Sequence, residues 1–421
     1  MLSSTDTGAG ELKQFRRTRY VQDILLGILP IIFCIQFLAW LTFFPNALRG
    51  HADFRQLYIA GYMVRTGHRT QLYDYAAQTF FQNALVSNGE LALPFIRPAY
   101  QALLFVPFSL FSYRTAYLGF LLLNVLLLAL AFLLLQSRMR GLSRVWPGLP
   151  PALFLGFYPV ALALMQGQDS ILLLALLAAA VVSLERNQDL AAGTLVGLGL
   201  FKFQIVIPIA LLFLLWHRWR FVKGFTFSAT LLGLLSFITS GWAETVVFVR
   251  SLLSVGAGLP AAPGGVNFPL RVNIMANLRG LIYGLASSRT PRAWLQVTTL
   301  LLSFLILILI RVRARRRQHG GYALILAITA SVVVSYYLFI HDLSILLIPI
   351  VLTLDRFITG DGSGKPFGLA TAAISALLFV APMCIFLIPG YFYLVAVAIC
   401  AFLFVLMKRL AALGATSRFK S

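Results

Sequence analysis

The chain has 421 residues, of which 60% are hydrophobic and only 11% are charged. Globular domains carry about 25% charged residues, so this composition excludes an ordinary soluble protein and predicts a polytopic membrane protein. The formal net charge is +21. The basic residues lie in short runs between apolar stretches, where the positive-inside rule explains them, so we expect no nucleic-acid partner.

The apolar stretches are long enough to cross the hydrocarbon core as helices, which need about 17 to 25 residues. The predicted fold class is therefore all-α, with about twelve transmembrane helices. They are residues 24–44, 113–135, 151–165, 170–184, 190–201, 205–216, 225–240, 294–310, 322–340, 343–354, 367–387 and 391–407. We expect one integral membrane domain at 24–410 between cytoplasmic tails at 1–23 and 411–421.

The apolar segment 98–111 is short and contains Pro107. We interpret it as an interfacial or re-entrant helix, because this choice puts most of the Lys and Arg residues on one side of the membrane. The positive-inside rule identifies that side as the cytoplasm. The opposite, outer face then carries the long segments 45–112 and 241–293.

Three short polar turns fall on this outer face together with Asp53. They are MQGQDS at 165–170, FKFQ at 201–204 and IHDL at 340–343. Polar residues between apolar helices are costly at membrane depth unless they line a cavity. Their convergence on one face predicts a single functional site.

Six of the thirteen acidic residues lie on the outer face, so any carboxylate chemistry there depends on one of them. They are Asp53, Asp74, Glu90, Asp169, Glu244 and Asp342. Asp53 is the best placed, because it follows the first span closely. Two interpretations stay open for it: a catalytic base, or the N-cap of a helix that begins near Phe54.

The other candidates also have more than one interpretation each. Lys202 either extends its ammonium to the headgroups or meets an anion such as a lipid-linked phosphate, with Gln204 beside it. Arg97 suits a phosphate, or binds only lipid. His341 and Asp342 cap a helix, pair locally, or act in a site. The same argument applies with less force to the remaining polar residues of the first turn, Gln166, Gln168 and Asp169.

Several signatures do not occur in the chain. It has no GxxxxGK[ST] loop, no GxGxxG after a strand, no HExxH and no paired Cys or His at metal-binding spacing. We therefore expect no metal, no cofactor and no sugar-nucleotide donor. Cys34, Cys384 and Cys400 all lie in apolar stretches, where buried packing is the expected role.

Taken together, five stretches resemble glycosyltransferase family 87 in their order and spacing, over about residues 24–354. They are DFRQLYIAG, RPAYQALLFVPFSLFS, GQDSILLLALLAAA, LGLFKFQ and HDLSILLIP. The resemblance implies a membrane enzyme of the GT-C fold that uses a polyprenyl-phosphate sugar, with mannose as the best precedent. It also implies an inverting, metal-independent transfer on the outer face of the cytoplasmic membrane, with Asp53 as general base.

We therefore expect a polyprenyl-phosphate sugar donor, a glycolipid or glycan acceptor, and membrane lipids as partners. Lys202, His341 and Arg97 are the candidates for binding the donor phosphate. The candidates for other substrate contacts are Gln168, Asp169, Gln204 and Asp342. The alternatives are a transporter or lipid flippase, whose charged residues would line a path through the bilayer, and an accessory subunit, in which Asp53 would be remote from the other candidates.

Overall fold

The structure, a computed structural model, describes residues 4–87, 91–257, 271–287, 290–313, 320–359 and 367–416. In these ranges all regular secondary structure is helical, which confirms the all-α fold class. Parts of the sequence predictions lie outside the described residues, among them Glu90, the basic residues at 314–317 and the end of the C-terminal tail at 417–421.

The α-helices are numbered in chain order. The first five are α1 Ser4–Asn46, α2 Phe54–Arg65, α3 Tyr75–Leu85, α4 Ala99–Phe105 and α5 Tyr113–Leu135. The next seven are α6 Arg140–Val145, α7 Leu149–Gly156, α8 Tyr158–Met165, α9 Ser170–Glu185, α10 Asp189–Leu198, α11 Phe203–Leu215 and α12 Trp219–Ala257. The last six are α13 Leu278–Ala286, α14 Arg292–Arg313, α15 Gly320–Val334, α16 Leu347–Thr359, α17 Phe367–Val380 and α18 Val395–Thr416.

Seven helical stretches of the described chain are long and apolar enough to cross a membrane. They are Leu26–Arg65, Tyr113–Arg138, Asp189–Leu215, Trp219–Ser254, Arg292–Arg313, Gly368–Phe386 and Gly390–Lys408. Two shorter apolar helices, Ser170–Glu185 and Gly321–Val334, accompany them. The chain is therefore a multi-pass membrane protein, and the count of twelve spans stays a prediction.

Non-helical backbone interrupts two of the predicted spans. The predicted span 151–165 is divided into α7 and α8 at Phe157, whose backbone is extended. Pro159 explains the break, because in a continuous helix it has no N–H to donate to the Leu155 carbonyl and its ring clashes with that carbonyl, whereas it fits the first turn of a new helix. The predicted span 322–340 ends early, since α15 stops at Val334 and a 3₁₀ segment, Ile340–Leu346, follows after a non-helical stretch.

The segment between α1 and α5 packs against the start of α5 around an aromatic centre. Phe54, at the start of α2, is fully buried, and its ring centroid lies 5.2 Å from that of Phe120 and 5.9 Å from that of Tyr113. Burial of one such side chain stabilises the fold by about 2 to 3 kcal/mol. The start of α2 is thus held against α5, and this fixes the position of the neighbouring Asp53.

The predicted interfacial segment is indeed too short to cross a membrane. α4 has seven residues, about 10 Å of helix, against a hydrocarbon core of about 30 Å. A 3₁₀ turn, Phe108–Leu110, follows it directly after Pro107. α4 packs against α2 and α12, so the segment stays on the same side of the helix bundle as α2.

Candidate functional site

Asp53 immediately precedes α2, but its side chain makes no capping hydrogen bond. The carboxylate is half-buried, and its Oδ2 accepts a hydrogen bond of 2.7 Å from Nε2 of Gln168. The Asp53 amide donates to Oε1 of Gln166 at 3.0 Å, and the Phe54 amide donates to the Gln166 carbonyl at 3.0 Å. The interpretation of Asp53 as a residue whose side chain caps α2 is therefore wrong.

The turn that holds Asp53 joins α8 to α9 and is itself tightly packed. Gly167 has a φ of +59°, and a Cβ there would lie 2.7 Å from Cβ of Phe54, so only glycine fits. The hydroxyl of Tyr117 donates to the Met165 carbonyl at 2.6 Å, and Nδ2 of Asn124 donates to the Gln168 carbonyl at 3.1 Å. Side chains of α5 thus fix the backbone of this turn.

Asp169, in the same turn, is 2% exposed and meets donors from three directions. The guanidinium of Arg97 and the side-chain amide of Gln101 both donate to its Oδ2, and Nζ of Lys202 lies 3.1 Å from its Oδ1. Arg97 also donates through its second terminal nitrogen to Oε1 of Gln168 at 3.2 Å. A single guanidinium therefore bridges two consecutive residues of the turn.

Lys202 is 3% exposed and lies between two carboxylates. Its Nζ is 3.1 Å from Oδ1 of Asp169 and 2.7 Å from Oδ1 of Asp342. The alternative that its ammonium extends to the lipid headgroups is therefore wrong. Asp342 also accepts from the Ser170 hydroxyl and from the Phe339 amide, each at 3.0 Å.

His341 and Gln204 each have a buried polar atom with no hydrogen-bond partner in the described part of the chain. His341 is 6% exposed, and its Nε2 lies 3.5 Å from Oδ1 of Asp342. Gln204 is 7% exposed, and the atom concerned is its Oε1. Gln204 forms none of the contacts that join the other candidates, although it lies two residues from Lys202.

Seven of the candidates, together with Gln101, form one continuous set of contacts, which we call the outer polar network after the face on which the sequence predicts it. Its members are Asp53, Arg97, Gln101, Gln168, Asp169, Lys202, His341 and Asp342. The network joins residues before α2 and α4, the turn before α9, the start of α11 and the 3₁₀ segment. Segments far apart in sequence thus place their polar residues at one end of the helix bundle, as the sequence predicts.

Opposite charges keep the buried acids of the network ionised. Burial alone would raise the pKa of the Asp342 carboxyl, but the charge and hydrogen bond of Lys202 hold it well below its usual range. Burial opposes ionisation of Asp169 as well, and Arg97 and Lys202 lower its pKa overall. For His341, burial lowers the pKa, so the ring is neutral near pH 7.

This arrangement combines two chemical capacities. Asp53 is a half-exposed carboxylate that is held by a hydrogen bond, so it can accept a proton from a bound hydroxyl. Arg97 is the more exposed of the two network cations, with 14% of its side chain exposed against 3% for Lys202. Through Gln168, a partly exposed carboxylate is thus joined to a partly exposed guanidinium.

Two other acids that the sequence assigns to the outer face have structural contacts instead. Asp74 caps α3, with its Oδ1 accepting from the Ala76 amide at 2.8 Å. Glu244 accepts from the Tyr73 amide at 3.2 Å. These contacts separate both residues from the outer polar network.

Sequence reasoning missed the network member Gln101 and its neighbour Ser170. Gln101 is fully buried in α4, and Ser170 begins α9. The signal for Gln101 was present: a polar side chain in an otherwise apolar segment requires a buried partner. Ser170 gave no signal of its own, because serine is common at helix starts.

The model of glycosyltransferase family 87 matches residues 95–336 of the chain. This range contains Arg97, Asp169 and Lys202, whereas Asp53 and the 3₁₀ segment lie outside it. No curated protein and no solved structure matches the chain.

Proposed function

The chain belongs to glycosyltransferase family 87 and is a multi-pass membrane glycosyltransferase, and on this premise we propose its donor, acceptor and mechanism. The donor is a polyprenyl-phosphate sugar, with mannose the best candidate, and the acceptor is a lipid or glycan. Transfer takes place on the outer face of the cytoplasmic membrane. The observation that carries the proposal is the half-exposed Asp53 carboxylate, joined through Gln168 to Arg97.

In the proposed reaction Asp53 is the general base. The acceptor hydroxyl oxygen attacks the anomeric carbon and its proton passes to the Asp53 carboxylate. The bond between the anomeric carbon and the phosphate oxygen breaks on the opposite side, so the configuration inverts and polyprenyl phosphate leaves with the electron pair. A base positioned in this way contributes about 10²- to 10⁴-fold to the rate.

The departing phosphate gains negative charge, and in the proposal three residues stabilise it. Arg97 offers the more exposed guanidinium, while the buried Lys202 supplies a positive charge that is fixed in place. His341 is neutral and contributes a hydrogen bond through Nε2 rather than a charge. These groups carry out the stabilisation that a metal ion performs in other transferases, so the proposed reaction needs none.

The network allows Arg97 to turn toward a phosphate without leaving a buried acid unpaired. Asp169 would keep its contacts with Gln101 and Lys202 after Arg97 moved away. An uncompensated buried carboxylate would otherwise cost several kcal/mol. This makes Arg97 the cation that exchanges partners on donor binding.

The remaining candidates have subsidiary roles in the proposal. Gln204 has an Oε1 without a hydrogen-bond partner among the described residues, and this oxygen suits a sugar hydroxyl. Asp169 and Asp342 hold the two cations in place beside the substrate. A transporter would need such polar groups along a path through the bilayer, whereas all of these lie at helix ends on one side of the bundle.

The donor is tested with purified protein in lipid nanodiscs and a panel of radiolabelled polyprenyl-phosphate sugars. A membrane lipid extract supplies acceptors, and nucleotide-linked sugars form a parallel arm. We expect label to move from one polyprenyl-phosphate sugar to a lipid or glycan product, and Arg97→Gln to weaken donor use. Transfer from a nucleotide-linked sugar alone would refute the proposed donor.

A further inference from the structure

We propose that Gln168 is a positioning residue, whose side-chain amide aims the Asp53 carboxylate at the acceptor and links it to the phosphate-binding Arg97. This inference rests on the proposed function, in which Asp53 is the base. It differs from the sequence prediction, where Gln168 binds substrate. Three observations support it: the orientation of the Gln168 amide, the restraint of the Gln168 backbone, and the second carboxylate oxygen of Asp53.

The two ends of the Gln168 amide face groups of opposite charge. Its Nε2 donates to Oδ2 of Asp53 at 2.7 Å, and its Oε1 accepts from Arg97 at 3.2 Å. The reversed amide would place an oxygen against the carboxylate and an NH₂ group against the guanidinium. Only one orientation therefore satisfies both neighbours, and the charged partners strengthen both bonds.

The Gln168 backbone leaves the side chain little freedom. The residue is 1% exposed, its amide donates to the Ala163 carbonyl at 2.8 Å, and its carbonyl accepts from Asn124 at 3.1 Å. The Asp53 backbone is held by the same turn, because its amide donates to the Gln166 side chain at 3.0 Å. The turn between α8 and α9 thus holds both the Asp53 backbone and the Gln168 side chain in place.

This contact occupies only one oxygen of the base. Oδ2 of Asp53 accepts from Gln168, whereas no hydrogen bond to Oδ1 occurs within the described residues. The Asp53 side chain is half-exposed while Gln168 is buried. Oδ1 is therefore the oxygen that receives the acceptor proton, and Gln168 acts through Asp53 without touching the substrate.

Gln168→Glu is the sharpest variant, because it keeps the size of the side chain and its acceptor toward Arg97. It replaces the donor that faces Asp53 by a second carboxylate. Two carboxylates at this distance hold a proton between them until a higher pH. We expect the acid limb of the pH–rate profile to move upward by about one pH unit or more.

Gln168→Met removes both the donor toward Asp53 and the acceptor toward Arg97, without adding a charge. The Asp53 carboxylate then loses its fixed orientation, and misplacement of a reacting group by about 1 Å lowers rates by about 10²-fold. We expect kcat to fall by that order while the KM for the acceptor changes little, since the amide does not touch the acceptor. A residue that bound the acceptor would raise this KM instead.

The matched control is Gln82→Glu. Gln82 is also a buried glutamine with two amide hydrogen bonds, but both its partners are backbone atoms of Leu93, at 2.7 and 3.0 Å. We expect Gln82→Glu to lower thermal stability and to leave the acid limb in place. This separates the effect of a buried carboxylate on folding from its effect on the base.

The measurement uses radiolabelled polyprenyl-phosphate mannose with membrane lipid extract, over the full pH range in nanodiscs. A second arm needs no turnover: infrared titration follows the carboxyl band that Asp53→Asn removes, in wild type, Gln168→Glu and Gln168→Met. We expect its midpoint to move to higher pH in both Gln168 variants, more in Gln168→Glu. If Gln168→Glu does not fold, Gln168→Met serves in both arms.

An acid limb and an infrared midpoint that stay at their wild-type positions in the Gln168 variants would overturn the inference. A rise in the KM for the acceptor with unchanged kcat in Gln168→Met would do the same. Full transfer by Asp53→Asn would instead refute the proposed function, because the base itself would be dispensable. Loss of activity in Asp53→Asn with unmoved profiles in the Gln168 variants would remove only the positioning role.

Discussion

Charged residues are used differently at the two ends of the helix bundle. At the end opposite to Asp53, Arg218 pairs with Asp189 at 2.7 and 2.8 Å, and Arg138 pairs with Glu185, as two separate and partly exposed pairs. At the end that contains the outer polar network, Asp169, Lys202 and Asp342 share partners and are almost entirely buried. One end has isolated ion pairs between neighbouring helices, whereas at the other end the ion pairs share residues and form a network.

The difference indicates what each set is for. Exposed ion pairs contribute about 0 to 1 kcal/mol and are replaced at little cost. Buried ion pairs rarely stabilise a protein more than well-packed apolar residues would, so stability alone does not account for the outer polar network. Charges that are expensive to bury inside a membrane protein mark a functional site.

The largest effect on folding is expected for Lys202→Met. The variant leaves Asp342 without its cation and takes one of two cations from Asp169. Breaking a buried pair from one side costs about 3 to 5 kcal/mol, so thermal unfolding in detergent should begin at a much lower temperature. Lys408→Met is the control, because the Lys408 side chain is exposed and lies over the Phe404 ring.

Adding Asp342→Asn to Lys202→Met sharpens this test. If the two side chains form a true buried pair, the double variant is more stable than Lys202→Met alone, because no unpaired carboxylate remains. Strictly additive losses would show that the pair does not carry the effect.

A smaller loss of stability than that of Lys202→Met is expected when the pH is lowered, because His341 becomes protonated in the unfolded chain. Burial lowers its pKa in the folded protein, while the unfolded chain takes up a proton below about pH 6.5. The contribution of neutral His341 to the free energy of unfolding is therefore complete above that pH. It is lost as pH falls, by at most about 1.4 kcal/mol per pH unit. Wild type should lose this stability relative to His341→Gln, as followed by thermal unfolding from pH 8 to pH 5.

An opposite trend, with wild type gaining stability over His341→Gln as pH falls, would contradict this account. It would mean that His341 is protonated in the folded state and pairs with Asp342 as a cation.

The smallest effect is expected for Arg218→Ala at the opposite end. The pair with Asp189 is partly exposed, with 26% and 12% of the two side chains exposed. We expect a loss of about 0 to 1 kcal/mol in unfolding free energy and unchanged transfer activity. A loss as large as that of Lys202→Met would remove the contrast between the two ends.

Much of the site was predictable because the chain is so apolar. Polar residues in short turns between apolar helices were few, so Gln168, Asp169, Lys202 and Asp342 stood out. The alternation of predicted spans assigned these turns to one face of the membrane, and in the structure their side chains contact one another. Helix boundaries such as those of α5 also followed from apolar length.

What sequence could not supply were the partners of each group. Lys202 had two interpretations because nothing in FKFQ specifies that carboxylates from two other turns meet it. The cap and base interpretations of Asp53 were equally open, since they differ only in where the carboxylate points. The division at Phe157 depended on how Pro159 is accommodated, either by a kink or by a new helix.

The most direct test of the central claim compares Asp53→Asn with Asp74→Asn in transfer from radiolabelled polyprenyl-phosphate mannose. Both variants make the same change in the same outer segment, but Asp74 only caps α3, a role that asparagine also fills. We predict that Asp53→Asn folds normally and loses about 10²- to 10⁴-fold in rate, while Asp74→Asn stays near the wild-type rate. Wild-type transfer by Asp53→Asn would contradict the account.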